Sequence, residues 1–256
     1  MTSPFPLIGR TALITGASSG IGERLARVFA DAGAKVILGA RRTELTGEIA
    51  AELCSQGAQA LAVPLDVTDE RSIAAAFDAG EQAFGIIDTV VANAGTASGG
   101  RSTEVDATIV RQVLDTNLLG VYLTAREGAR RLINANSRES ERGRIVLIGS
   151  ITADMTGQGD AAYAASKAAV AHLGRQVARE WIRQGINVNT IQPGYIKTEL
   201  SGGWFEEEGG KAQIASWHRR RLIGVEALDD IALYLSSDSS RFVTGGTFTI
   251  DDGQSL

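Results

Sequence analysis

The sequence predicts an α/β fold, a parallel sheet with helices on both faces. Three observations in its 256 residues predict it. Apolar runs of strand length alternate with stretches whose apolar residues recur at helical spacing. The first run leads straight through a glycine-rich turn into a helical stretch. No repeat, low-complexity segment or linker interrupts the series. Strand–helix alternation of this length builds parallel βαβ units with right-handed crossovers. The length fits one large domain or two small ones, and the unbroken series favours a single domain, 1–256, with a sizeable core.

Thr11 to Thr15 is the first strand, and it runs into Gly16-Ala-Ser18-Ser19-Gly20-Ile21-Gly22. Ile21, Leu25, Val28 and Phe29 then recur at helical spacing until Gly33, a helix stop. A glycine turn between strand and helix suits a phosphate: the backbone approaches closely, and the helix start offers free N–H groups. The spacing differs from G-x-G-x-x-G, and a tight structural turn is the other reading. Val36 to Leu38 is the second strand, ending in Gly39-Ala40-Arg41-Arg42. At this point a dinucleotide fold selects its cofactor: an acidic residue holds ribose hydroxyls, an arginine a 2′-phosphate. Arg41 and Arg42 with no acid beside them point to the phosphorylated cofactor, against two solvated arginines at a strand end.

Leu45–Leu53 is helical, Ala60–Val63 a third strand ending near Asp66, and Thr68 a cap for a helix through Phe84. Asp88–Ala92 is the fourth strand, followed by Asn93-Ala94-Gly95. One long helix is expected from about Thr103 to Asn134, with Asn117, a poor helix former, in its apolar face. A polar insert, Asn134–Gly143, precedes the fifth strand, Ile145–Ile148. Ala161–Arg183 is helical, Ile186–Ile191 a sixth strand, and residues 195–224 are irregular, with Tyr195, Trp204, Phe205 and Trp217 among charges. Leu228–Leu235 is the last helix and Gly246–Ile250 the last strand.

Tyr163 and Lys167 lie four apart on the Ala161 helix and therefore on one face. An ammonium beside a phenol favours the phenolate, so the Tyr163 pKa is expected to fall, making it a usable acid or base. Ser150, thirteen residues upstream, follows a strand whose C-terminal end is where open α/β sheets place ligands. The plainer reading packs Tyr163 in a core and sends Lys167 to solvent.

Net charge is −5, and the clusters Arg130-Arg131 and Arg219-Arg220-Arg221 are short and flanked by acids, so no nucleic-acid partner is expected. The single cysteine, Cys54, excludes an intrachain disulfide and reads as a partly buried helix residue. His172 and His218 are too few for a zinc site, so no metal is expected. Neither a signal peptide nor a membrane-spanning run is seen, and a cytoplasmic location is expected.

These residues come in order at the spacing of one family, and the chain resembles a short-chain dehydrogenase/reductase of the compact single-domain kind over nearly its whole length. Thr15, Gly16, Gly20 and Gly22 match T-G-x-x-x-G-x-G; Asn93, Ala94 and Gly95 match N-A-G; Pro193, Gly194 and Thr198 match P-G-x-x-x-T. The resemblance implies a Rossmann-like, doubly wound seven-stranded sheet of order 3-2-1-4-5-6-7. It implies a catalytic tetrad of Asn117, Ser150, Tyr163 and Lys167. Tyr163 exchanges a proton with the substrate oxygen, Lys167 tunes it and holds the nicotinamide ribose, Ser150 binds the substrate oxygen, and Asn117 holds a relay water. NADP(H) is the implied cofactor, held by Gly16, Ser18, Ser19, Gly20, Ile21, Gly22, Arg41, Arg42, Asp66, Val67, Asn93, Ala94, Gly95, Tyr163, Lys167, Pro193, Gly194, Ile196 and Thr198. Thr152, Gln158, Tyr195 and Trp204 are the implied substrate contacts, and the length, irregularity and aromatics of 195–224 suggest a mobile lid over the substrate, against aromatics packed at an oligomer contact. The implied activity is that of a ketoreductase or alcohol dehydrogenase on a small molecule. The alternatives are a 3-oxoacyl-thioester (acyl-carrier-protein) reductase, weakened by the mixed charge of Ser137–Arg142, and a catalytically silent nucleotide sensor, which would not need Tyr163 with Lys167. Extra apolar positions on two helices, Ile109, Val113, Leu114, Leu118 and Val121, and Val170, Leu173 and Val177, suggest a homotetramer or homodimer. The chain departs from the family in Ile250-Asp251-Asp252-Gly253, where relatives often have Asp-Gly-Gly, and in a missing proline in Gly224-Val-Glu-Ala-Leu.

Overall fold

The computed structural model describes residues 4–97, 99–157 and 159–256. Among them seven parallel strands form one sheet: β1 (Thr11–Thr15), β2 (Lys35–Ala40), β3 (Gln59–Pro64), β4 (Thr89–Ala92), β5 (Gly143–Ile148), β6 (Ile186–Pro193) and β7 (Thr247–Ile250). Their order is β3-β2-β1-β4-β5-β6-β7. Register is continuous through the centre, with Leu13 opposite Ile37 on one side and Val90 on the other. The expected order is observed.

The central strands are apolar at nearly every position because both faces are covered. Alternation splits each strand between two cores. In β1, Ala12 and Ile14 pack with α1 (Gly20–Asp31), α2 (Thr43–Ser55) and α9 (Asp229–Ser236) through Leu25, Phe29, Leu53 and Leu233. Leu13 points the other way, into a core with α3 (Glu70–Phe84), α5 (Gly120–Asn134) and α7 (Ala161–Trp181) through Phe77, Val121 and Val170. The same split sends Val36 and Leu38 of β2 to the first core and Ile37 to the second.

Several local expectations are corrected. The long helix is interrupted. It comprises α4 (Ala107–Leu114), a π turn at Asp115–Leu119 and α5, and Asn117 sits inside the π turn. The cap of α3 is Asp69, whose carboxylate accepts from Arg71 N at 2.8 Å. Thr68 instead donates to Asp66, from its N at 3.0 Å and its Oγ1 at 2.7 Å. The polar insert carries a short helix, α6 (Ser137–Ser140), and residues 195–224 hold a true helix, α8 (Glu208–Ser216). Cys54 is exposed, near the end of α2.

The two rims of the sheet differ. At the strand beginnings, Arg10 and Arg144 are buried, and Arg10 pairs with Asp238 and lies 3.6 Å from Asp88. Arg144 donates to Ser237 O at 3.2 Å and to Glu141 O at 2.9 Å. Burial, with Arg10 adding repulsion, pulls the Arg144 guanidinium down to about 10. At the strand ends lie the glycine turn, Arg41, Asn93, Ser150 and Gly194. The chain reverses its direction of winding between β1 and β4, and a crevice opens at that point.

Candidate active site

The site begins at the turn after β1. Gly16 and Gly20 have φ of +67° and +58°, the left-handed region in which a side chain is strained. A Cβ on Gly16 would fall 2.8 Å from Ala94 Cα, and one on Gly22 would fall 2.3 Å from Gly16 O. The turn after β4 clamps this loop. Thr15 Oγ1 accepts from Asn93 N and Ala94 N, both at 3.0 Å, and Asn93 Nδ2 donates to Thr15 O at 2.9 Å. Ser19, at the start of α1, makes no side-chain cap bond to the helix. The first N–H groups of α1 are therefore left to an anion in the crevice. A glycine cradle that a single methyl would block, facing an uncapped helix start, fits the pyrophosphate of a dinucleotide.

Arg41 and Arg42 stand at the end of β2, both exposed to the same crevice. Arg42 donates to Ser18 Oγ, Ser19 Oγ and Glu199 Oε2. Asp66 lines the crevice beside Val67, and its bonds from Thr68 hold its carboxyl below the ordinary value.

At the other end lie Ser150, Tyr163 and Lys167. Ser150 caps a short turn, and its Oγ accepts from Thr152 N at 3.2 Å and Thr152 Oγ1 at 3.0 Å. Lys167 is buried, its Nζ donates to Ile148 O at 2.9 Å, and it stands 5.5 Å from the centre of the Tyr163 ring. Burial pulls the Lys167 amine down to about 8. Burial also pushes the Tyr163 phenol up to about 12; Ser150 opposes this, while Asp160 and Tyr195 add to it. The expected fall of the Tyr163 pKa is thus reversed in the protein alone. Loss of hydration disfavours the phenolate, and the ammonium is spent on a carbonyl rather than on the phenol oxygen.

Asn117 lies in the layer behind the crevice, buried. Its Oδ1 accepts from Thr96 N at 2.8 Å, and its Nδ2 donates to Thr96 O at 2.8 Å and Ser166 Oγ at 3.2 Å. A Cβ on Gly95 would lie 3.5 Å from Asn117 Oδ1 and 3.8 Å from Lys167 Nζ, so these groups share one corner. π turns widen a helix by one residue and recur at functional sites.

The crevice holds about 1130 Å³ and runs unbroken from Arg41 to Trp204. Every residue expected to hold the cofactor lines it except Gly22, which packs under the glycine turn. Thr152, Tyr195 and Trp204 line its far end; Gln158 lies outside the described residues. Of the four aromatics expected to wall this end, Trp217 does not reach it. Trp217 is buried behind Tyr195, stacked on it with ring centres 5.3 Å apart, and Phe205 meets Tyr195 edge-on at 5.9 Å. Trp204 Nε1 donates to Gln213 Oε1 at 3.0 Å. Sequence reasoning missed two acids lining the crevice, Asp160 and Glu199. Asp160 stands three residues before Tyr163, and burial raises its carboxyl. Glu199 directly follows Thr198. Proximity in sequence was the available signal for both.

The family model for short chain dehydrogenases matches residues 10–209. The chain is 35% identical to the oxidoreductase UcpA of Escherichia coli (strain K12), over 98% of this chain and 96% of that protein. It is 36% identical to a cis-4-hydroxycyclohexanecarboxylate dehydrogenase of Sinomonas cyclohexanicum, over 95% and 96% of the two chains. A gluconate 5-dehydrogenase from Burkholderia cenocepacia J2315, solved in complex with NADP and tartrate, superposes with a TM-score of 0.91 at 32% identity, over 98% of this chain and 97% of that one.

Proposed function

The chain belongs to the short-chain dehydrogenase/reductase family of oxidoreductases, and from that premise we propose that it moves a hydride between NADP(H) and a ketone or secondary alcohol. One observation carries the reading: Ser150, Tyr163 and Lys167 converge at one end of a single crevice whose other end is the glycine turn with Arg41 and Arg42. The glycine cradle and the free start of α1 fit the pyrophosphate, Arg41 and Arg42 fit a 2′-phosphate, and Ile196 with Thr198 would hold the carboxamide. Bound there, the nicotinamide supplies the hydride chemistry that no side chain can.

The chain's own groups handle the proton and the orientation. Tyr163 donates its phenolic proton to the substrate oxygen in reduction and accepts one in oxidation. Ser150 donates a hydrogen bond to that oxygen as charge develops on it. Thr152 N and Oγ1 both donate to Ser150 Oγ, so Ser150 has only its own proton to give, and that proton serves the Tyr163 phenol and the substrate oxygen. Lys167 would hold the nicotinamide ribose and, standing 5.5 Å from the centre of the Tyr163 ring, would stabilise the phenolate. Asn117 fixes the Thr96 backbone and keeps the Lys167 corner open to a relay water. Residues 195–224 act as a lid within the single domain, with Tyr195 and Trp204 against the substrate.

The test follows NADPH absorbance with the purified protein and a panel of ketones that includes cyclic and polyhydroxy acids. NADPH oxidation with at least one ketone is expected, and NADPH should exceed NADH in catalytic efficiency. Equal use of both cofactors would remove the NADP(H) assignment, and no turnover of any carbonyl would remove the reading.

A further inference from the structure

Arg42 already holds an anion supplied by the chain itself. Its Nη2 donates to Ser19 Oγ at 2.8 Å, Glu199 Oε2 at 2.9 Å and Ser18 Oγ at 3.0 Å, and its Nε donates to Ser18 Oγ at 3.2 Å. Bonds from Arg42 first and from Ser19 second hold the Glu199 carboxyl below its ordinary value. A carboxylate gripped by a guanidinium and a serine hydroxyl makes the same demands as a phosphate oxygen. Arg41, next in the chain, has neither a hydrogen bond nor an ion pair among the described residues, and its charge is felt at Asp66. The two arginines are therefore not equivalent.

Glu199 also belongs to the first turn after Thr198, where the 195–224 segment leaves the sheet. Thr198 lies against the glycine turn: its Cβ and Cγ2 are both 3.3 Å from where a Cβ on Gly20 would stand. The Glu199 carboxylate thus reaches across the crevice mouth, from the lid side to the strand-β2 side. The charged groups lining this corner are Arg41, Arg42, Asp66 and Glu199.

We propose that Glu199 is an internal competitor for the cofactor's 2′-phosphate. Its carboxylate occupies the anion site formed by Arg42, Ser18 and Ser19. A 2′-phosphate entering beside Arg41 displaces it, and a 2′-hydroxyl leaves it in place. Two consequences follow for the same site, and both rest on the NADP(H) reading above. Glu199 narrows the preference for phosphorylated over unphosphorylated cofactor. The phosphorylated cofactor alone releases the lid's first turn from Arg42.

The test uses the full chain and nucleotide fragments, so that it reads binding and not turnover. Wild type and Glu199→Gln are titrated calorimetrically with 2′,5′-ADP and with 5′-AMP. Glu199 is exposed, so the amide should fold as the wild type does. The variant is expected to bind 2′,5′-ADP about 2- to 5-fold more tightly, the range an exposed ion pair carries, with 5′-AMP unchanged. Glu199→Ala should move the same way. Unchanged 2′,5′-ADP affinity in both variants would overturn the proposal, and so would an equal change for both nucleotides, which marks a structural role. If wild type and variants alike fail to prefer 2′,5′-ADP over 5′-AMP, the NADP(H) reading itself has failed. That result differs from a preference that Glu199 does not affect.

Discussion

Tyr163 and Lys167 share a helix face, yet their proton affinities move in opposite senses, the phenol up to about 12 and the amine down to about 8. Burial drives both shifts, because each group is more easily neutral than charged there. Removing the phenol oxygen tests its role. Tyr163→Phe should cut turnover by at least the ~10²–10⁴-fold typical of general acid–base catalysis, while NADPH binding measured by fluorescence persists. An active Phe variant would leave the pair structural. Asp160 adds repulsion to the Tyr163 phenolate. Removing that negative charge favours the phenolate, so Asp160→Asn should lower the Tyr163 pKa. Alcohol oxidation needs the phenolate, and the rise of kcat/KM with pH should then begin at lower pH in the variant. An unmoved profile would show that Asp160 is not felt at the reacting oxygen. The pair itself was legible in the sequence, because four-residue spacing on a helix is local geometry. The direction of the Tyr163 shift was not, because burial depends on the whole fold. The place of Glu199 in the crevice could be read from Thr198 beside it, but its bond to Arg42, 157 residues away, could not.

The strands were legible to within a residue or two, since apolar runs, or in β6 and β7 apolar residues at alternate positions, have few other readings between turn residues. Two helical features were not. The apolar period runs smoothly from Ile109 to Val121, and one inserted residue of a π turn barely disturbs it. Helix α8 reads Glu-Gly-Gly-Lys-Ala-Gln-Ile-Ala-Ser, with two glycines and no apolar stripe, so only its neighbours reveal it. Inside the π turn the amide of Asn117 closes on both backbone groups of Thr96 and on Ser166 Oγ. Asn117→Ala should leave Thr96 N and O without these partners and cost about 1–3 kcal/mol of stability, read as a lowered urea midpoint with an unchanged slope. A midpoint equal to wild type would mean that water or a relaxed α-helix replaces the amide.

For the molecule as a whole, strand order followed from the family resemblance, and the placing of the site on one rim followed from parallel topology. The surface was only half readable. Val113, Val121, Val170 and Val177, expected at a contact between subunits, are buried within the chain. Ile109, Leu114, Leu119 and Tyr122 remain exposed along α4, the π turn and α5. A run of large apolar side chains on one helical segment suits a two-fold contact. The expected state is a closed homo-oligomer, a tetramer by mass in light scattering at micromolar concentration, and a monomer mass would exclude it. The opposite rim carries a different lesson. Arg10 and Arg144, with Asp88 and Asp238, tie together the places where strands begin, on the far side of the sheet from every group that could touch a substrate. Endurance and selectivity therefore sit at opposite poles, with the length of the buried strands between them. A lineage can rewrite one pole to change what the enzyme accepts while the other keeps it folded, and a breeder of variants can do the same.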